Sequence, residues 1–403
     1  MSNPLVNKHI LLGVTGSIAC YKAADLASRL AQAGAQVDVI LTQAAQQFIT
    51  PLTFQSVTGR KAYVDSDLWG SEGHVLHIGL GKSAELLVVA PATANTIAKL
   101  AHGLADNLLT VTALAASCPL LVAPAMDGGM FSHPATQANL ELLSLRGTTV
   151  VGPAQGHLAS GLVGLGRMVE PTELVGRIRL ALGRNGPLQG IQVVVTAGGT
   201  QEPIDPVRSI TNRSSGKQGF ALAQAALDQG ADVTLIAGPT PLPTPVGARR
   251  LDVRSAQEML EAVLAAIPQA SALIMAAAVA DFMPVARAEQ KIKKESGIPQ
   301  IELQATPDIL AAVAAFKAEI GWPRLTIGFA AESQDLLGNA RSKLHAKKLD
   351  FIAANDISAT DAGFGAEDNR VTLLFADGRV EALPLMSKAE VAEVILERVV
   401  ALL

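Results

Sequence analysis

The chain has 403 residues, of which 49% are apolar and 17% charged, with a formal net charge of -4 at neutral pH. At about 150 residues per domain this length suggests two domains, and the composition excludes a disordered chain, while no apolar run reaches the roughly 18 residues of a membrane span. The charge is spread over both signs, which excludes the basic face of a nucleic-acid binder and leaves small molecules or copies of the chain as expected partners.

In chain order, the start MSNPLVNKHILLGV has an apolar run that ends almost at once in Gly13, so no secretory leader is read there and a cytoplasmic protein is expected. Cys20 and Cys118 are the only cysteines, which fits a reducing compartment and argues against disulfides or a cysteine zinc site. HILLGV, VDVILT, ELLVVA, PLLVAPA and TTVVGP read as strands, divided by alanine-rich stretches of helical period. LGRNGPLQG, residues 182–190, carries three glycines, an asparagine and a proline, which places a domain boundary near Gly186. Beyond it IQVVVTAG, DVTLIAG, ALIMAAA, LTIGFAA and DFIAAND repeat the strand pattern, and VTLLFADGRVEALPL reads as a hairpin turning at Asp377 and Gly378. Both halves are therefore expected to be parallel sheets covered by helices.

Three strand exits in the first half concentrate polar groups where an open α/β sheet binds ligands. GVTGSIA, residues 13–19, offers free helix N–H groups for a phosphate, or simply a turn capped by Ser17. APATANTIAKL places Pro91, Thr93, Asn95 and Thr96 at the next such start, and PAMDGGMF sets Asp127 between Met126 and Met130. Met126 and Met130 alone would pass as core filler. His74 and His77 have no third ligand nearby, so a metal site is not expected, yet histidine remains the best acid–base candidate of the region.

Taken together, GVTGSIA, His77, PATANT and PAM-x-x-x-M resemble the homo-oligomeric flavin-containing cysteine decarboxylases over about the first 180 residues. The resemblance implies a flavodoxin-like flavin-binding domain, residues 1–185, that uses FMN to oxidise a cysteine-derived thiol, release carbon dioxide and return the electrons. It implies FMN contacts from Gly16, Ser17, Thr42, Pro91, Thr93 and Asn95, substrate contacts from Asp127 and Met130, and a catalytic role for His77. Two positions depart from the family pattern. Asp127 stands where most members carry Asn, so it stays protonated or turns to another partner, because an ionised carboxylate repels the substrate carboxylate. Ser160, in LASGLVGLGRM, stands where most members carry the Cys that helps protonate the enethiol, and its hydroxyl is a far poorer acid. Three glycines give that stretch the character of a flap over the substrate.

The second half opens on VTAGGTQEPIDPVRSITNRSSGKQGFALAQAAL, a strand, a glycine turn and a helix start that is not a Walker A sequence. AAAVADF exits a further strand, and Lys291, Lys293 and Lys294 follow, either as a solvated face or folded over a polyanion. With GFAAES and KKLDFIAANDIS these motifs resemble phosphopantothenate-cysteine ligase over residues 190–403, and the whole chain resembles the bacterial bifunctional coenzyme A biosynthesis proteins. The resemblance implies a Rossmann-like ligase domain that joins 4′-phosphopantothenate and cysteine through an acyl-cytidylate, with CTP as co-substrate and Mg2+. Lys291 and Asn212 match the residues that form and hold the intermediate; Arg208 is implied for the substrate phosphate or carboxylate, Ala278, Asp281 and Phe329 for nucleotide, Lys343 and Lys347 for phosphates. Trimers of the first domain and dimers of the second would close as a dodecamer. The competing expectations are a ligase fused to a flavin domain with altered decarboxylase chemistry, and a non-catalytic flavin-binding subunit.

Overall fold

In the strand β1 (His9–Val14), Ile10, Leu12 and Val14 join one buried cluster and Leu11 another, because successive side chains of a strand leave opposite faces. A strand buried on both faces needs helices on both, and the computed structural model shows them. It describes residues 3–69, 73–293, 299–332, 334–356 and 368–403, and the chain divides into the units Asn3–Leu182 and Gly183–Leu403.

The first unit adds β2 (Gln36–Leu41), β3 (Ala62–Val64), β4 (Leu86–Ala92), β5 (Leu120–Pro124) and β6 (Thr149–Val150) in the order β3-β2-β1-β4-β5-β6, all parallel. This refines the flavodoxin-like expectation, since flavodoxin's own order runs 2-1-3-4-5; here the order reverses between β1 and β4. The helix Cys20–Gln32 buries Cys20, Ala23, Leu26, Ala27 and Leu30, the i, i+3, i+4, i+7 stripe of a helix lying on a sheet. After β6 the chain forms an antiparallel pair, β7 (Ala154–His157) and β8 (Val163–Arg167), so LASGLVGLGRM is the tip and second strand of a β-hairpin rather than an irregular loop.

In the second unit β9 (Gln192–Ala197) leads into a short antiparallel pair, β10 (Gln201–Pro203) and β11 (Ser209–Thr211). The main sheet continues with β12 (Asp232–Ala237), β13 (Arg249–Asp252) and β14 (Ala272–Met275). A second small pair, β15 (Phe282–Pro284) and β16 (Leu303–Ala305), precedes β17 (Leu325–Glu332) and β18 (Phe351–Asp356). β19 (Asp368–Asn369), β20 (Val371–Phe375), β21 (Val380–Ala382) and β22 (Met386–Ser387) lead to the closing helix Lys388–Leu402. The eight-stranded order is β13-β12-β9-β14-β17-β18-β20-β21, a Rossmann order extended by an antiparallel hairpin. That hairpin turns at Asp377 and Gly378, whose φ of 92° is open only to residues without a Cβ penalty. The closing helix starts on a capping box in which Ser387 and Glu390 satisfy each other's backbone N–H groups.

Candidate functional site

A cavity of about 570 Å³ lies at the carboxyl ends of β1, β4 and β5, on the side where the strand order reverses. Gly16, Ser17, Thr93, Asp127, Met130 and Ser160 all line it, with Lys22, Met126, Leu158 and Arg167. Thr15 joins two of the exits: its hydroxyl donates to the Pro91 carbonyl at 2.7 Å and accepts the Thr93 N–H at 3.0 Å. Thr93 caps the helix Ala94–His102 by accepting the Thr96 N–H. Gly16 is required by packing, since a Cβ there would stand 2.5 Å from that of Ala44.

The hairpin is docked on the β5 exit through its backbone. The Met126 N–H donates to the Gly166 carbonyl at 2.9 Å, and a Cβ on Gly166 would fall 2.2 Å from the Met126 carbonyl oxygen. At its tip the Ser160 hydroxyl donates to Asp127 Oδ2 at 2.6 Å, while Asp127 Oδ1 accepts the Gly129 N–H at 3.0 Å. The hydroxyl first, then that N–H, hold the Asp127 carboxyl below the usual aspartate range. The geometry matches the second expectation for Asp127, since its carboxyl has turned to Ser160. The two residues that depart from the family pattern meet each other. Below them Lys22, 4% exposed, donates to the Met168 carbonyl and to Glu170, which also pairs with Arg167.

The second unit holds a cavity of about 680 Å³ at the carboxyl ends of β14, β17 and β18. Asn212, Ala278, Asp281, Phe329, Lys343 and Lys347 all line it. Asn212 donates to the Val279 carbonyl at 3.0 Å, and Lys343 donates to the Phe329 carbonyl at 2.9 Å. Lys347 is ion-paired with Asp308, the N-cap of the helix Ile309–Ile320. Burial pushes the Asp308 carboxyl up, but the Lys347 ammonium and the Ala311 N–H outweigh it and hold the group low.

Several residues singled out in the sequence lie elsewhere. His77, in the helix Gly73–Ser83, does not line the first cavity; it is half-buried and its Nδ1 has no hydrogen-bond partner among the described residues. Thr42 is buried beneath the β2 exit, where its hydroxyl donates to the Val14 carbonyl. Pro91 is buried within β4, and Asn95 is exposed on the helix Ala94–His102. Arg208 and Lys291 do not line the second cavity, yet one buried carboxylate brings their segments together. Asp205 accepts the Arg208 guanidinium at 3.1 Å, the N–H groups of Val207 and Arg208 at 2.8 Å each, and the Ile292 N–H at 3.2 Å. Burial raises the Asp205 carboxyl, and these donors more than offset it. Lys294, Ser333, Ile357, Ser358 and the side chain of His74 lie outside the described residues.

Sequence reasoning missed Asp205, Lys22 and the wall formed by Asp308 with Thr306 and Pro307. The D-P pair at Asp205 signals a turn, but its burial follows from contacts 87 residues away. Among the described residues no group of three or more His, Cys, Asp or Glu could hold a metal ion by itself, and no helix is long and apolar enough to cross a membrane.

Each of the two cavities lies in a segment that a known family matches. The model of the family described as Flavoprotein matches residues 1–182, and that of the DNA/pantothenate metabolism flavoprotein C-terminal domain matches residues 188–403. The chain is 46% identical over 401 residues to the Coenzyme A biosynthesis bifunctional protein CoaBC of Bacillus subtilis, covering 99% of this chain and 98% of that one. The protein of the same name from Vibrio cholerae is 48% identical over 394 residues, covering 97% and 98%. That of Escherichia coli K12 is 42% identical over 402 residues, covering 98% and 97%.

Proposed function

Because the chain belongs to the family of bifunctional coenzyme A biosynthesis proteins, with a flavoprotein decarboxylase half before a ligase half, we propose the nucleotide, flavin and residues that each half uses. The ligase half takes 4′-phosphopantothenate, CTP and cysteine, and the decarboxylase half converts the product to 4′-phosphopantetheine. What carries this reading is the single cavity that gathers Asn212, Ala278, Asp281, Phe329, Lys343 and Lys347.

In the ligase a carboxylate oxygen of 4′-phosphopantothenate attacks the α-phosphorus of CTP, and pyrophosphate leaves with the electron pair of the broken P–O bond. The amine of cysteine then forms the C–N bond as the C–O bond to CMP breaks, and the nitrogen loses its extra proton. An anion approaching a triphosphate meets repulsion, so Lys343, Lys347 and Lys291 serve to neutralise charge. Asn212 holds the acyl-cytidylate, and Arg208 grips phosphate or carboxylate with its planar fork. Mg2+ is commonly held by one or two carboxylates together with substrate phosphates, and Asp281 in the cavity wall fits that donor set without a cluster of its own.

The first cavity fits FMN. Its volume lies within the roughly 300–1,000 Å³ of cofactor sites; Gly16 and Ser17 open a strand exit suited to a phosphate, and Ile18, Met126, Met130 and Leu158 supply apolar walls for a ring system. Bound there, the flavin supplies the two-electron oxidation and the returning reduction that side chains cannot. The docked hairpin excludes water, and Thr93 orients the cofactor's polar edge. His77 reaches such a cavity from a neighbouring subunit in a homotrimer, and with ligase dimers this closes as a dodecamer. Localisation in the cytoplasm agrees with the two free cysteines.

The direct test supplies 4′-phosphopantothenate, cysteine and CTP to purified protein and identifies products by mass. 4′-Phosphopantetheine with CMP and pyrophosphate is expected; turnover with ATP but not CTP would refute the nucleotide assignment. A monomer on gel filtration that retains FMN would refute the trimer.

A further inference from the structure

We propose that Asn355, Asn369 and Lys388 form the subsite for the amino-acid substrate of the ligase, the two amide oxygens receiving the α-amino group and the lysine the α-carboxylate. This rests on the ligase reading above.

All three residues line the second cavity. Asn355 stands near the end of β18, Asn369 closes β19, and Lys388 opens the final helix directly after β22. The pairing of β19 with β22 sets Asn369 beside Met386, two residues before Lys388. Gln218 ties the group together: it accepts the Asn369 Nδ2–H at 3.2 Å and donates to the Lys388 carbonyl at 3.1 Å. Because its Nδ2 is engaged, the orientation of the Asn369 amide is fixed and its Oδ1 is left as an acceptor.

The Oδ1 atoms of Asn355 and Asn369 are both buried, with no hydrogen-bond partner among the described residues. Asn369 is 3% exposed and Lys388 7%. Buried acceptors without donors are costly and uncommon, so two beside one ligand cavity point to a donor that arrives with the ligand. A phosphate or a carboxylate alone does not suit them, because an anion would face two amide oxygens. A zwitterionic amino acid brings a donor-rich ammonium for the two oxygens, and its carboxylate can add to the contact Lys388 already makes, since a lysine ammonium has three donors. The lysines implied for the nucleotide phosphates sit on a different helix, Leu336–Ala346, or directly after it, so both substrates can be held at once.

The test uses the full-length protein with 4′-phosphopantothenate and CTP. Hydroxylamine serves as a small nucleophile that traps the activated acyl group without needing an amino-acid subsite. Asn355→Ala and Asn369→Ala should each raise the KM for cysteine about tenfold or more, while the KM for CTP and the hydroxylamine rate stay within about twofold. Lys388→Met should narrow the preference for cysteine over cysteamine, which lacks the carboxylate. An unmoved cysteine KM in the variants, or a CTP KM that rises in step with it, overturns the subsite. If the unmodified protein releases no pyrophosphate from CTP, the ligase reading itself has failed instead. Should Asn369→Ala fail to fold by circular dichroism, the Asn355→Ala and Lys388→Met results decide.

Discussion

Ser160 and Asp127 were each legible in the sequence as departures, but their meeting was not, because 33 residues separate them and only the docked hairpin closes the distance. The contact changes what each residue does. A hydroxyl that donates to the Asp127 carboxyl 2.6 Å away points its proton at that group rather than at the substrate. Ser160→Cys should therefore raise the yield of 4′-phosphopantetheine relative to oxidised enethiol, read by mass spectrometry; an unchanged ratio in an enzyme that already turns over cleanly would reduce Ser160 to a turn residue. The same bond makes the hairpin tip acid-sensitive. Asp127 has a lowered carboxyl in the folded state, so its contribution is complete above the ordinary aspartate value of about 3.9 and is lost as pH falls through the folded value beneath it. Pepsin should accordingly cut residues 158–162 faster as the pH drops through that window, and Asp127→Asn should flatten the dependence.

At the scale of elements, the long buried strands were read from their apolar runs, whereas β3, β10, β11 and the β7–β8 hairpin were not. Short strands such as AYV and QEP bury too few residues to leave a periodic signal, and their pairing is decided by distant partners. The hairpin shows how strict that pairing is. Gly166→Ala places a methyl group against the Met126 carbonyl, and the backbone of β8 must move away from the β5 exit. Decarboxylation should fall by an order of magnitude or more, as misplacement of an active-site element commonly costs about 100-fold, while pyrophosphate release by the ligase is unchanged. In the other unit Asp205 holds the turn after β10 and the segment after β15 to one carboxylate. Asp205→Ala removes the acceptor of three part-buried N–H groups, at about 1 kcal/mol each, and should lower the unfolding temperature of the ligase unit alone.

For the whole molecule, the boundary read near Gly186 can be compared with how the backbone packs. Gly183 and Gly186 lie against the backbone of Asp228 and Gln229, too close for any Cβ, and the fully buried Leu188 donates its N–H to the Gln229 carbonyl. A ligase fragment beginning at residue 183 should therefore be more stable than one beginning at 190; loss of Leu188 alone costs about 2–4 kcal/mol, measurable by urea unfolding. Composition suggests a boundary near Gly186, but not that its glycines pack within the second unit. The ligase sheet also depends on the far end of the chain, where the helix Lys388–Leu402 packs on the helix Lys217–Asp228 and Gln218 holds the Lys388 carbonyl. This bears on synthesis at the ribosome. The first unit is one continuous segment, free to fold as soon as residue 182 has cleared the exit tunnel, whereas the second waits for its last helix, roughly ten seconds or more later at about 5–20 residues per second. A nonsense change within that helix would release a chain whose flavin half is sound and whose ligase half has never closed.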